Sequence, residues 1–258
     1  MMLLLFLSTY AGAHDVHVAP YVQLATPTSV WIVWETTGGA QSTVEYGLSQ
    51  DLGQTANGSA KLGPNGLMLH ETQLSALTPG STVYYRTITE DAQSDVQRLH
   101  VPDAPSSEAS QRLIAMSDMQ RDQSHPEIFS EVVNDGIIPW LEHTQPGHIA
   151  DALDLVLIPG DLVDDGRNYD EWRDTFFEPI APISASVPVY PVYGNHERDT
   201  DTFTHYFHLP THGSEAYPEH WYTVDHGNIR VIGLDSNGTY LARGQLEWLS
   251  EVLEQTCT

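Results

Sequence analysis

Three short apolar runs in this 258-residue chain each end in side chains that bind metal ions or move protons. Residues 112–117 lead into Asp118-Met119-Gln120, residues 154–159 into Gly160-Asp161, and residues 187–193 into Gly194-Asn195-His196-Glu197. Carboxylates, carboxamides and an imidazole delivered from three separate runs suit a hydrolytic centre with two metal ions. Such a centre needs a bridging ligand, ligands that cap each ion, an open position for water and a proton donor opposite. Asp161 is expected to bridge: a carboxylate offers one oxygen to each of two ions about 3.5–4 Å apart, and Gly160 permits close backbone approach. Asp118 is expected to cap the first ion with Gln120 on the same side, because side chains two apart in an extended segment point the same way. Asn195 would cap the second ion through its amide oxygen. Oxygen donors of this kind favour Mn, Mg, Ca or Fe, with Zn as an alternative. By the same alternation His196 points elsewhere, suiting a general acid for a leaving alkoxide, and Glu197 is expected to orient it by accepting a hydrogen bond.

The spacing also predicts the elements that position these residues. Each run is continuous and rich in β-branched or aromatic residues, as strands buried on both faces of a parallel sheet are. In open α/β sheets ligands bind beyond the carboxyl ends of the strands, which is where the polar residues fall. Between the runs, residues 125–141 carry Ile128, Val132, Val133 and Ile137 at helical spacing, and residues 169–177 carry Trp172, Phe176 and Phe177. Residues 220–225 and 228–235 read as a hairpin turned at His226-Gly227-Asn228. Residues 244–253 read as a final helix with Leu246, Leu249, Val252 and Leu253 inward.

The first hundred residues follow a different rule. Strand candidates at 18–26, 29–35, 42–46, 68–74, 82–89 and 96–101 are separated by Gly38-Gly39, Gly63-Pro64-Asn65-Gly66 and Pro79-Gly80. They predict an all-β sandwich of six or seven strands, with Trp31, Val33, Trp34, Tyr84 and Tyr85 as candidates for its inner faces. Residues 103–111 have linker composition. The expected organisation is therefore a sandwich over 18–102 and an α/β domain over 112–258, within a length that allows two cores.

Thirty-five acidic residues against ten Lys and Arg give a formal net charge of −25, and Lys61 is the single lysine. So acidic a surface repels nucleic acid and anionic membranes. Residues 1–13 combine an apolar run with Ala11-Gly12-Ala13 and read as an export signal too short to span a bilayer, with a buried first strand as the alternative. The signal implies a secreted or periplasmic protein. Cys257 is the one cysteine, so no disulfide forms within the chain.

Asp118, Asp161 and Asn195-His196-Glu197, each at a strand end, resemble the calcineurin-like metallophosphoesterase family. Residues 20–35, Val44-Glu45-Tyr46-Gly47, residues 70–77 and residues 79–86 resemble the fibronectin-III-like N-terminal domain of its purple acid phosphatase branch. The resemblance implies a four-layer α/β/β/α domain behind the sandwich and two metal ions drawn from Fe, Mn or Zn. It implies hydrolysis of a small phosphorylated substrate, a phosphomonoester with a phosphodiester as alternative, by a metal-bound hydroxide, with His196 protonating the leaving group. Two departures stand out. The branch carries a ferric-ligand tyrosine three residues after the bridging aspartate, where this chain has Asp164, and many family members have histidine in place of Gln120. The family also takes three further histidines from later strands, one of them in a His-Pro-type segment and two in a G-H-x-H motif, that these 258 residues lack. The α/β domain is therefore expected to be partial, and a truncated, weakly metal-binding and non-catalytic chain is the alternative to an active hydrolase.

Overall fold

A computed structural model describes residues 14–63, 66–105, 107–121, 123–238, 240–242 and 244–256. The segment read as an export signal, and Cys257, lie outside them. Nine strands come first: β1 (Val16–Thr26), β2 (Ser29–Thr36), β3 (Thr43–Gly47), β4 (Gln54–Asn57), β5 (Ser59–Leu62), β6 (Met68–Ser75), β7 (Thr82–Thr89), β8 (Ala92–Gln93) and β9 (Gln97–His100). They form two antiparallel sheets, one in the order β1-β2-β6-β5 and the other β4-β3-β7-β8 with β9 also paired to β7. Strands β4 and β5 were not expected, because Gln54–Asn57 and Ser59–Leu62 are mostly exposed edge strands without an apolar alternation to betray them.

The two faces of the first sheet are buried against different partners. Val22, Ile32, Trp34 and Leu74 face the second sheet's Val44, Val83, Tyr85 and Leu99 in one core. Their neighbours Tyr21, Val33 and Leu69 join a second core with Tyr169, Trp172, Phe177 and Tyr206. Burial on both faces explains why residues 30–34 of β2 read as a continuous apolar run rather than an alternating one. Buried tyrosines need a partner for the hydroxyl, and three of them use it to fasten the halves: Tyr21 donates to the carbonyl of Tyr206 at 2.7 Å, Tyr85 to that of Ala185 at 2.6 Å, and Tyr190 to that of Ala25 at 3.2 Å.

The second part is a parallel sheet with covering helices. Strands β10 (Leu113–Ala115), β11 (Leu155–Ile158) and β12 (Val189–Pro191) lie in that order, with Ala115 opposite Leu157 and Ile158 opposite Pro191, so their carboxyl ends share one edge. Helix α1 (128–144) and the short helix α2 (Ile149–Ala152) connect β10 to β11, and helix α3 (169–184) connects β11 to β12. Helix α4 (Asp201–Tyr206), the hairpin of β13 (Tyr222–His226) and β14 (Ile229–Gly233), and helix α5 (Gln245–Thr256) complete the described chain.

Helices α1 and α3 share a device. Each widens into a π segment, Val132–Ile137 and Trp172–Phe177, just before a proline, Pro139 and Pro179. A proline inside an α-helix lacks a donor and collides with the carbonyl four residues back; here the residue before each proline reaches five back, Ile138 to Val133 and Glu178 to Arg173. The widening also corrects the expected inner face of α1: Phe129, Val133 and Leu141 are buried, whereas Ile128 and Val132 are exposed. In α5, Val252 is buried as expected, but Gln245 takes the inward position expected of Leu246, which is exposed along with Leu253.

Candidate functional site

The edge shared by β10, β11 and β12 is built from strained and side-chain-free backbone. Asp118 and Asp161, each just past a strand, hold φ of +59° and +56°, in the left-handed region that Asp tolerates better than most residues. Gly160 and Gly194 lie back to back. A Cβ on Gly160 would stand 2.7 Å from the Gly194 Cα, and one on Gly194 would stand 2.1 Å from Asp161 Oδ1. The loops after β11 and β12 therefore approach each other only because both residues are glycine. Gly194→Ala is expected to cost about 3 kcal/mol through this overlap, read as a lower urea midpoint; an unchanged midpoint would show that the loops part easily.

Glu197 joins the two loops from beneath. Its side chain is 0% exposed, and it accepts backbone N–H groups from both: Asp161 at 3.0 Å, Leu162 at 2.7 Å and Gly194 at 2.6 Å. Burial pushes this carboxyl up while the three N–H donors pull it back. This corrects the expectation that Glu197 orients the imidazole of His196. Residues 195–199 form a tight turn rather than an extended segment, with Arg198 and Asp199 also at positive φ, so strand alternation does not apply.

His196 is oriented instead by the β11 loop. Its Nδ1 lies 2.7 Å from the carbonyl oxygen of Asp164 and 3.4 Å from the Asp164 carboxylate. Donation from Nδ1 to that carbonyl leaves Nε2 as the nitrogen that can pass a proton. The backbone N–H of His196 donates to Asp161 Oδ1 at 3.0 Å, and its carbonyl accepts from Gly166 at 2.9 Å. Asp164, which occupies the position of the branch's tyrosine, thus takes up a role the sequence did not reveal.

The remaining candidates meet unevenly. Met119 N–H donates to the Asp161 carbonyl at 2.9 Å, which places Asp118 beside the bridging candidate, but the left-handed Asp118 breaks the alternation expected to align it with Gln120. The Gln120 Oε1 is buried and accepts no hydrogen bond. An orphaned carbonyl oxygen is costly in a protein interior unless something electropositive meets it. Asn195 is exposed on a cleft of about 200 Å³ lined by Tyr193, Gly194, Arg198, Asp235, Asn237 and Tyr240 among others. Among the described residues no three His, Cys, Asp or Glu side chains converge as a metal-binding group.

Asp235 and Asn237 were not expected at this edge, although Asp235 also follows an apolar strand. Asp235 accepts from His220 Nδ1 at 2.7 Å, and Asn237 Nδ2 donates to the Tyr193 carbonyl at 3.0 Å, tying the β14 loop to the start of the Gly194 loop. His205 and His208 face the sandwich: His208 stacks on Trp31 at 4.4 Å, and His205 packs beside Tyr169.

Comparison with known proteins gives the family and the fold. Residues 111–256 match the calcineurin-like phosphoesterase family. The chain is 28% identical over 281 residues to mouse (Mus musculus) acid phosphatase type 7, covering 98% of this chain and 59% of the mouse protein. It is also 28% identical over 158 residues to a nucleotide pyrophosphatase/phosphodiesterase of barley (Hordeum vulgare), covering 52% of this chain and 40% of that protein. Its fold is shared with a purple acid phosphatase from yellow lupin (Lupinus luteus) seeds, at a TM-score of 0.66 and 18% identity over 92% of this chain and 48% of the lupin chain. It is shared also with PhoD, at 0.57 and 12% over 85% and 52%. The chain thus spans little more than half the length of the mouse relative, and with more than half of its own residues inside the family match it belongs to the calcineurin-like phosphoesterase family.

Proposed function

We propose that the chain is a metal-dependent phosphoric ester hydrolase acting on a small phosphorylated substrate, a phosphomonoester first and a phosphodiester as the alternative. The observation that carries this reading is the contact of the Asp161 loop with the Asn195-His196 loop at Gly160 and Gly194, where the His196 N–H donates to the Asp161 carboxylate, together with the buried, unpartnered Gln120 oxygen after β10. These residues fit a metal centre by their chemistry: the donors are hard oxygens, and the Gln120 carbonyl lacks any other partner. Asp118 and Gln120 would hold one ion, Asn195 the other, and Asp161 both, with Fe, Mn or Zn as candidates. Bound there, the ions supply the Lewis acidity that activates water and offsets the charge building on phosphorus.

The chain's own residues do the rest. Asp161 is fixed by two backbone contacts, His196 N–H on its carboxylate and Glu197 on its amide, so its direction is set before any ligand arrives. His196 carries a proton at Nε2 to the leaving-group oxygen, while the Asp164 carbonyl holds Nδ1–H and the Asp164 carboxylate offsets the imidazolium charge. The sandwich is read as fibronectin-III-like and residues 112–258 as part of a four-layer α/β/β/α domain. The reading of residues 1–13 as an export signal supports a secreted or periplasmic location; no helix among the described residues is long and apolar enough to cross a membrane. The test is the metal content of the purified chain, measured together with hydrolysis of p-nitrophenyl phosphate. Two ions per chain with turnover support the proposal. Absence of both ions and turnover would favour the alternative, a chain that binds metal weakly and hydrolyses nothing.

A further inference from the structure

Glu35 is a buried acid that the site chemistry does not use. It lies on β2 with its side chain 0% exposed, on the face of the sheet that meets α3 and α4. Its Oε1 accepts from the hydroxyl of Tyr169 and, at 3.5 Å, from that of Tyr206. Its Oε2 accepts no hydrogen bond, and His17 Nε2 stands 3.7 Å away. Tyr169 is the first residue of α3 and Tyr206 the last of α4.

Those two helices continue the two site loops. Helix α3 starts where the loop holding Asp161, Asp164 and Gly166 ends, and α4 starts where the Gly194 loop ends. The first turn of α3 grips its loop directly: Glu171 accepts the Asp165 N–H at 3.0 Å, and Trp172 Nε1 donates to the Gly166 carbonyl at 3.1 Å. Gly166 in turn bonds the other loop, donating to the His196 carbonyl at 2.9 Å and accepting from the Thr200 hydroxyl at 3.2 Å. A single carboxyl of the sandwich is therefore joined to both elements that carry the candidate site.

We propose that Glu35 is a positioning residue, which by accepting from Tyr169 and Tyr206 holds α3 and α4 in register and so fixes the loops 161–168 and 194–200. The identity of those loops as a metal site rests on the proposed function; their dependence on Glu35 does not. Around the carboxyl stand His17, Tyr21, the two hydroxyl donors and the Arg173 guanidinium, while Glu71 on the neighbouring strand is already paired with Lys61 and His208. Burial pushes Glu35 from its ordinary 4.5 up to about 7, against the pull of the two hydroxyls and Arg173. The folded chain thus binds this proton more tightly than the unfolded one, so the contribution is complete in acid and is lost as the pH rises through about 7. An ionised Glu35 is denied water at Oε2, and opening the interface relieves that.

Backbone hydrogen exchange, corrected for the intrinsic rate, tests this on the 258-residue chain. Protection of the Leu162, Gly166 and Gly194 amides is expected to fall about tenfold between about pH 6 and pH 8 in the wild-type chain, while core amides of β3 and β7 hold steady. Glu35→Gln, which keeps an acceptor but cannot ionise, should hold the acid-side protection at both pH values. Tyr169→Phe should lose it at both. Coincident wild-type and Glu35→Gln profiles, or full protection in Tyr169→Phe, would overturn the proposal. Intact exchange behaviour in a chain that neither binds metal nor hydrolyses phosphate esters would instead count against the proposed function alone.

Discussion

Replacing Glu197 with alanine is expected to lower the unfolding free energy by about 3–5 kcal/mol, read from urea titration. The carboxylate is the shared acceptor of three backbone amides, one buried and two partly buried, and its removal strands the N–H groups of Asp161, Leu162 and Gly194 together. Each stranded donor costs about 1–3 kcal/mol in a protein interior, less when neighbours relax jointly. Relaxation is restricted here, because Gly160 and Gly194 are already in backbone contact and Gly166 sits tight against the Glu197 carbonyl. Glu197→Gln separates hydrogen bonding from packing. It fills the same volume but offers one oxygen to donors now split between two, so either Leu162 or the Asp161 and Gly194 pair faces an amide donor. An intermediate loss is expected. If Glu197 served only to steer His196, both variants would keep their stability and change turnover alone.

The residues of the edge were legible from the sequence because they obey a local rule: polar side chains placed right after buried parallel strands. Their directions were not. Alternation presumes extended backbone, whereas Asp118, Asp161, Arg198 and Asp199 take left-handed φ and residues 195–199 turn back on themselves. A turn of this kind depends on the Gly160–Gly194 contact, made between two loops more than thirty residues apart in the chain. The same limit hid the role of Asp164 and the buried position of Glu197.

Elsewhere the missing information was also long-range. Glu35 reads like a polar residue closing a sandwich strand, and only the arrival of Tyr169 and Tyr206 from the other half turns that face into an interior. The inner face of α1 was misread by one residue beside its proline-linked π segment, whereas Trp172, Phe176 and Phe177 of α3 are buried as expected. The burial of both faces of the first sheet has, by contrast, a local trace in the continuous apolar run of residues 30–34 in β2.

On the proposed function, His196→Ala in the metal-loaded chain is expected to cut turnover by about 10²–10⁴ while metal content stays at the wild-type level. The imidazole is held at Nδ1 by the Asp164 carbonyl, a backbone group that side-chain substitution at Asp164 leaves in place, so Nε2 remains the end that can pass a proton. A general acid matters in proportion to the basicity of the oxygen it protonates. The loss should therefore be largest with an alkyl phosphate, whose alkoxide leaves poorly without a proton, and smallest with p-nitrophenyl phosphate, whose phenolate leaves unaided. Asp164→Asn keeps the carbonyl and removes only the carboxylate 3.4 Å from the ring, so its effect should be a small fraction of the alanine effect. Equal losses on the two substrates would assign His196 to holding the phosphate rather than to protonating the leaving group, because a contact with the phosphoryl oxygens is blind to what departs.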